Sequence, residues 1–205
     1  MLSAASSLFI LSLVIQTFLL PVYRIDPSRS RIEIGVFRGG LLKAFGHDHT
    51  VAAKEFSGTV RFDPAKFSDS SVSLSIMSDS LSVIDPGVSE KERGEVQTTM
   101  AGPRVLNVQA FPEIEFVSTQ LKQVTQKGSG FEIVLTGKLK IHGVEKETSF
   151  PVRISFEKGL LHATGTASIR QTDFGIVPIK LGAGTVSVKD AVTAKFDVLA
   201  QRASE

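Results

Sequence analysis

The sequence has no cysteine, no tryptophan and a single tyrosine in 205 residues. Without cysteine there is no disulfide framework, no thiol nucleophile and no thiolate metal site. That absence leaves the compartment open. The missing tryptophan and near-missing tyrosine stand against 14 phenylalanines. Aromatic area is thus plentiful, and almost none of it carries a polar handle, as suits a greasy core or a greasy cavity. An excess of charge of one sign is also lacking. The formal net charge is +2, with 23 basic and 21 acidic residues and no Lys/Arg-rich run, which argues against a nucleic-acid partner. At 42% hydrophobic and 21% charged residues, the composition is that of one folded domain and not of a disordered chain.

Only one long apolar run is present, Leu8 to Leu20. It has about the length of a signal-peptide h-region and is short for a membrane span. No Lys or Arg precedes it, and no small-x-small cleavage site follows before Pro21. Residues 1–22 are read as a signal peptide of a periplasmic or secreted protein, with an uncleaved N-terminal membrane anchor as the alternative. Residues 23–205 are read as the folded domain.

That domain is organised around Phe131 to Phe156. Ile133, Leu135, Gly137, Leu139 and Ile141 alternate with Val134, Thr136, Lys138, Lys140 and His142. Beyond Gly143, Phe150, Val152, Ile154 and Phe156 alternate with Ser149, Pro151, Arg153 and Ser155. Side chains at a period of two point to opposite faces of a strand, so this is an antiparallel ribbon with one apolar face. Such a face needs partners. Alternation recurs over Arg31 to Val36, Glu55 to Asp63, Val72 to Ile76, Glu113 to Thr119, Leu161 to Ile169 and Val192 to Val198. Further strand signal lies around Leu121 to Thr125, and Gly- and Pro-containing turns separate the runs.

Only one helix is expected. Ser89-Glu90-Lys91-Glu92 has capping-box spacing, Val96 and Met100 share a face, and Gly102-Pro103 ends it. It is expected to be short and to lie across an opening. Eight or nine strands with almost no helix make the fold all-β, an antiparallel sandwich or barrel. Closure into a barrel removes exposed edges.

Several stretches resemble the YceI-like family. They are Tyr23 to Pro27 (YRIDP), Phe56 to Asp63 (FSGTVRFD), Phe111 to Thr119 (FPEIEFVST), Leu139 to Lys146 (LKIHGVEK), Asp173 to Ile176 (DFGI) and Val188 to Val192 (VKDAV). They occur in the family's order and run from about Tyr23 to Ala200. The resemblance implies an antiparallel, lipocalin-like extended β-barrel with one short helix. It also implies a long apolar cavity holding an isoprenoid lipid, such as an isoprenoid quinone or an isoprenyl phosphate. In the helical insert the chain departs from the family. Arg93 to Met100, RGEVQTTM, stands where an acidic, histidine-bearing segment is usual.

On this reading the apolar face supplies the ligand-binding wall. Its residues are Ile34 and Val36, Phe45, Phe56, Val60 and Phe62, Leu74 and Ile76, and Phe116. The later strands add Leu139 and Ile141, Phe150 and Ile154, Phe174 and Phe196. The inward set also contains Gly58, Gly137, Ala163, Gly165 and Ala194. Large residues among very small ones mean either interdigitation or a tunnel. His47-Asp48-His49 is the sharpest polar feature. On a strand the two imidazoles share a face and are candidates for contacting a lipid head group. A metal-binding protein or enzyme centred on His47 and His49 is the alternative. No Gly-x-Ser-x-Gly elbow occurs, and Gly182-Ala-Gly184 lacks the lysine of a phosphate loop. A non-catalytic carrier without cofactor is therefore expected. Membrane proximity suits such a carrier, and apolar mouths allow a homodimer.

Overall fold

Phe131 to Phe156 folds as the ribbon that its alternation predicts. In the computed structural model, which describes residues 20–40, 47–181 and 186–203, strands Gly130–Ile141 and Val144–Glu157 pair antiparallel. His142 and Gly143 link them with φ of 52° and 75°. Two consecutive left-handed residues make a type I′ turn, whose twist matches that of the strands. Lys158 and Gly159, at 50° and 79°, repeat the device one hairpin later.

In chain order the strands are β1 Val22–Ile25, β2 Arg31–Val36, β3 Arg38–Gly39, β4 His49–Ala53, β5 Phe56–Arg61, β6 Ser71–Met77 and β7 Leu81–Val83. After the helix α1, Glu90–Ala101, come β8 Glu113–Lys127, β9 Gly130–Ile141, β10 Val144–Glu157 and β11 Leu160–Arg170. The last are β12 Lys180–Leu181, β13 Val186–Val188 and β14 Ala191–Arg202. Strands β1, β5, β6, β8, β9, β10, β11 and β14 follow one another around the sheet, and β14 pairs back onto β1, closing an eight-stranded antiparallel barrel. Pairing begins at Val22, within the expected leader; the leader up to residue 19 lies outside the described residues.

Three of the barrel's staves are bent. The 3-10 turn Pro27–Arg29 separates β1 from β2, Lys54-Glu55 separates β4 from β5, and the 3-10 turn Ser78–Ser80 separates β6 from β7. Their upper halves, β2, β4 and β7, pair in that order outward from β14 and extend the wall beyond the lower ring. Strand β7, only three residues long, carried no alternation long enough to predict. Strand β8 is a single 15-residue strand with register shifts after Ser118 and after Lys122. The first falls at the break that the sequence suggested between Thr119 and Leu121, and the second lies inside the strand expected over Leu121 to Thr125.

The helix starts where its cap predicts: the Glu92 N–H donates to Ser89 Oγ at 3.2 Å. It spans 12 residues and is docked by one side chain. Gln97 Oε1 accepts the Val83 N–H at 2.9 Å, and Gln97 Nε2 donates to the Leu81 carbonyl at 2.7 Å. The amide thus satisfies the free edge of β7, and Val96 and Met100 pack on the core. Lys138, Lys140 and Arg153 face outward in cross-strand pairs. Lys138 meets Glu145 at 2.9 Å, Lys140 meets Glu115 at 3.1 Å and Arg153 meets Glu132 at 2.8 Å.

Candidate functional site

The inward faces enclose a cavity of about 270 Å³ lined almost wholly by apolar atoms. That is near the lower end of ligand pockets, about 300–1,000 Å³. Its wall includes Ile34 and Val36 from β2, Val60 of β5 and Phe62 just after it, and Leu74 and Ile76 from β6. Phe116 of β8, Leu139 and Ile141 of β9, and Phe150 and Ile154 of β10 continue it, with Phe174 and Phe196 beyond. Phe56 is buried in the upper core cluster but is not part of the cavity wall. Phe45 lies outside the described residues.

Large and small inward residues interdigitate, and the cavity survives because they do. A Cβ on Gly165 would stand 2.5 Å from Cζ of Phe196, its direct cross-strand partner. A Cβ on Gly137 would stand 2.5 Å from Cζ of Phe116. Each ring fills the space left by a neighbouring glycine, so part of its bulk is taken up in the wall and not in the lumen.

The lower end carries an aromatic cluster around Phe62, with Arg61 and Ser70 beside it in the wall. Phe62, 2% exposed, has ring centroids 5.4 Å from Phe131, 5.3 Å from Phe156 and 5.9 Å from Phe67. Tyr23 adds a fifth ring at 6.1 Å from Phe156. The upper end is roofed by Met100 of α1 and by Val105 and Leu106 of the following loop, which line the cavity. Ser78 ties that loop to β6: its N–H donates to the Pro112 carbonyl and its Oγ to the Phe111 carbonyl.

His47 and His49 do not share a strand face, because His47 precedes the start of β4. His47 is exposed, with Nε2 3.9 Å from Glu92 of the helix. His49 lies opposite Val36 on the inward phase, one step above Val51, but outside the cavity wall. Its Nδ1 donates to Oδ2 of Asp85 at 2.6 Å. Asp85, 4% exposed, also accepts the Thr50 N–H, and its carbonyl accepts from Arg93 Nη2 at 3.3 Å. This arrangement fixes the imidazole ring and turns Nε2 away from the carboxylate. Asp48 caps the Arg38 N–H at 2.9 Å.

The remaining histidines are engaged elsewhere. His142 meets the Phe111 ring edge-on with centroids 4.7 Å apart, and His162 bonds Asp197 at 2.7 Å. Among the described residues no three His, Asp or Glu side chains converge to hold a metal.

Asp85 and the roof residues were missed by sequence reasoning. In the sequence Asp85 opens an Asp-Pro-Gly run, which signals only a turn. Its register position opposite His49 depends on β7. Val105 and Leu106 sit in a loop without periodicity.

A sequence profile of the YceI-like domain matches residues 23–200. A UPF0312 protein of Shewanella denitrificans is 29% identical over 144 residues, covering 66% of this chain and 67% of its own. One from Pseudomonas putida is 29% identical over 131 residues, covering 60% of this chain and 61% of its own. The chain thus spans about two thirds or less of the length of these curated relatives.

Among solved structures, BcnA of Burkholderia cenocepacia superposes with a TM-score of 0.67 at 24% identity, covering 85% of this chain and 98% of that one. A polyisoprenoid binding domain from Saccharophagus degradans gives 0.60 at 10% identity, covering 90% and 100%. A Campylobacter jejuni YCEI protein gives 0.56 at 17% identity, covering 76% and 85%. These likenesses show a shared fold. With its profile match running from Tyr23 to Ala200 and the closed barrel beneath it, the chain belongs to the YceI-like family.

Proposed function

We propose that this protein is a non-catalytic carrier that sequesters a long-chain isoprenoid lipid in its barrel, outside the cytoplasm. The observation that carries the reading is the cavity: apolar around its circumference, with an aromatic cluster at one end and a helix and loop at the other. Each buried CH₂ is worth about 0.8 kcal/mol. A chain of isoprene units therefore gains far more from this wall than any single polar contact supplies. The Saccharophagus domain with the same fold is a polyisoprenoid-binding domain, which supports this choice of lipid. The polar head belongs at the upper rim, away from the aromatic plug. Two groups of polar side chains stand there, His47 and His49 by the helix, and Lys146 and Arg170 on the opposite wall.

The test fills the lumen without adding charge. Ala163 and Ala194 both line the cavity. Delipidated wild type, incubated with vesicles containing an isoprenoid quinone and then gel-filtered, is expected to retain lipid one to one. The Ala163→Phe, Ala194→Phe protein is expected to fold and to retain at most a tenth as much, about 1.4 kcal/mol or more of lost affinity. Equal retention in the folded double variant would place the lipid elsewhere.

A further inference from the structure

The barrel wall is split between β10 and β11. Their ladder runs from Glu157↔Leu160 up to Val152↔Gly165 and stops, although β10 continues down the sequence to Val144 and β11 continues to Arg170. Pro151 stands at the stop. It has no N–H to donate, and its carbonyl oxygen lies 2.6 Å from where a Gly165 Cβ would be, so its polar backbone edge faces β11. A proline in that orientation ends the ladder. Above it opens a polar hollow of about 260 Å³, lined by Lys146, Glu147, Thr148, Ser168, Arg170 and Asp173. Its inner wall is Ile169 and Phe174, and both also line the apolar cavity. One pair of side chains thus separates a greasy interior from a polar slot.

Resting on the carrier reading, we propose that this slot is the head-group site. The isoprenoid tail occupies the barrel, and its head passes Phe174 sideways between β10 and β11. Thr148 and Lys146 share the inward phase of β10 with Phe150, since β10 pairs Thr148 with Gly137 and Lys146 with Leu139. The same strand face that is apolar below becomes hydrogen-bonding above. None of Lys146, Glu147, Arg170 and Asp173 forms an ion pair within 4.0 Å among the described residues, and Arg170 feels only the more distant charge of Asp190. The slot's lining carries two cations, two carboxylates and two hydroxyls, and the Asp190 carboxylate acts on Arg170 from behind it, so no positive charge is in excess. That balance suits an uncharged head rich in hydrogen-bond acceptors, such as a quinone. A diphosphate would leave its charge uncompensated beside Glu147 and Asp173.

The absence of cysteine makes the test direct. Ser168→Cys places a unique thiol at the slot, and His47→Cys places one on the opposite rim. Each is labelled with a small fluorophore and titrated with a benzoquinone bearing two isoprene units, a contact quencher. Bound lipid is measured separately by extraction after gel filtration. Quenching at the Ser168 label is expected to exceed that at the His47 label at least twofold. An isoprenyl diphosphate of the same chain length is expected to compete about tenfold more weakly. Lipid bound with equal or stronger quenching at His47 overturns the slot and leaves the carrier standing. Equal or tighter competition by the diphosphate overturns the uncharged head. No bound lipid in either protein or in the unlabelled chain takes the carrier reading down, and the slot with it.

Discussion

Gly165 carries two constraints at once. The ring of Phe196 and the carbonyl of Pro151 both occupy space that a side chain would need, and the second is backbone that cannot swing aside. Gly165→Ala is expected to cost about 1–3 kcal/mol through overpacking and to lower the melting temperature by about 2–12 °C in a thermal melt. An unchanged melt would show that the ring and the strand yield freely. That Gly165 and Phe196 both face inward was legible from alternation. Their position opposite each other was not, because register between β11 and β14 is set by pairing over the full length of both strands. Asp85 illustrates the other limit. Its burial under His49 needs β7, a three-residue strand too short to show a period.

The segment Gln171–Phe174 holds Phe174 in the gap above Pro151 and is pinned from β14's side. Asp190 accepts the Thr172 N–H at 2.9 Å and Thr172 Oγ1 at 2.8 Å, and its own carbonyl accepts the Gln171 N–H at 3.0 Å. The Thr172 N–H holds the Asp190 carboxyl below the ordinary carboxylate value, against a smaller opposing effect of burial. A lowered native value means that the pin is fully present above the unfolded value, about 3.9, and is lost as pH falls through the lowered one. Hydrogen exchange at the Ile176 amide, which bonds the Gln171 carbonyl, is expected to lose protection on acidification below about pH 4. Asp190→Asn is expected to abolish that pH dependence; an identical profile in the variant would exclude Asp190 as its source.

The helix obeys simpler rules. Ser89→Ala removes the cap to the Glu92 N–H and is expected to cost about 1 kcal/mol, or about 2–4 °C in the melt. Its start and end were readable because capping is local. Its docking through Gln97 to the β7 edge was not, because the partner lies on another element.

The alternating strands and short turns that dominate the sequence allowed a sandwich or a barrel, and the family resemblance pointed to the closed barrel that is found. The cavity was only half legible. Composition cannot separate a filled core from a tunnel, since both need Phe, Ile, Leu and Val facing inward. What separates them is three-dimensional: phenylalanine rings set over glycines, a five-ring plug below and a roof built from a loop above. The split in the wall did leave a trace. Counting back by twos from Phe150 reaches Thr148 and Lys146, and polar residues on an inward phase mark the point where the barrel stops being closed to water.

The most direct measurement is native mass spectrometry of the full chain purified gently from its own host. The carrier account predicts a stoichiometric lipid-sized adduct on the folded protein, identified after extraction as an isoprenoid and absent from the Ala163→Phe, Ala194→Phe variant. A folded protein that carries no lipid, or one whose adduct persists when the lumen is filled, would contradict it.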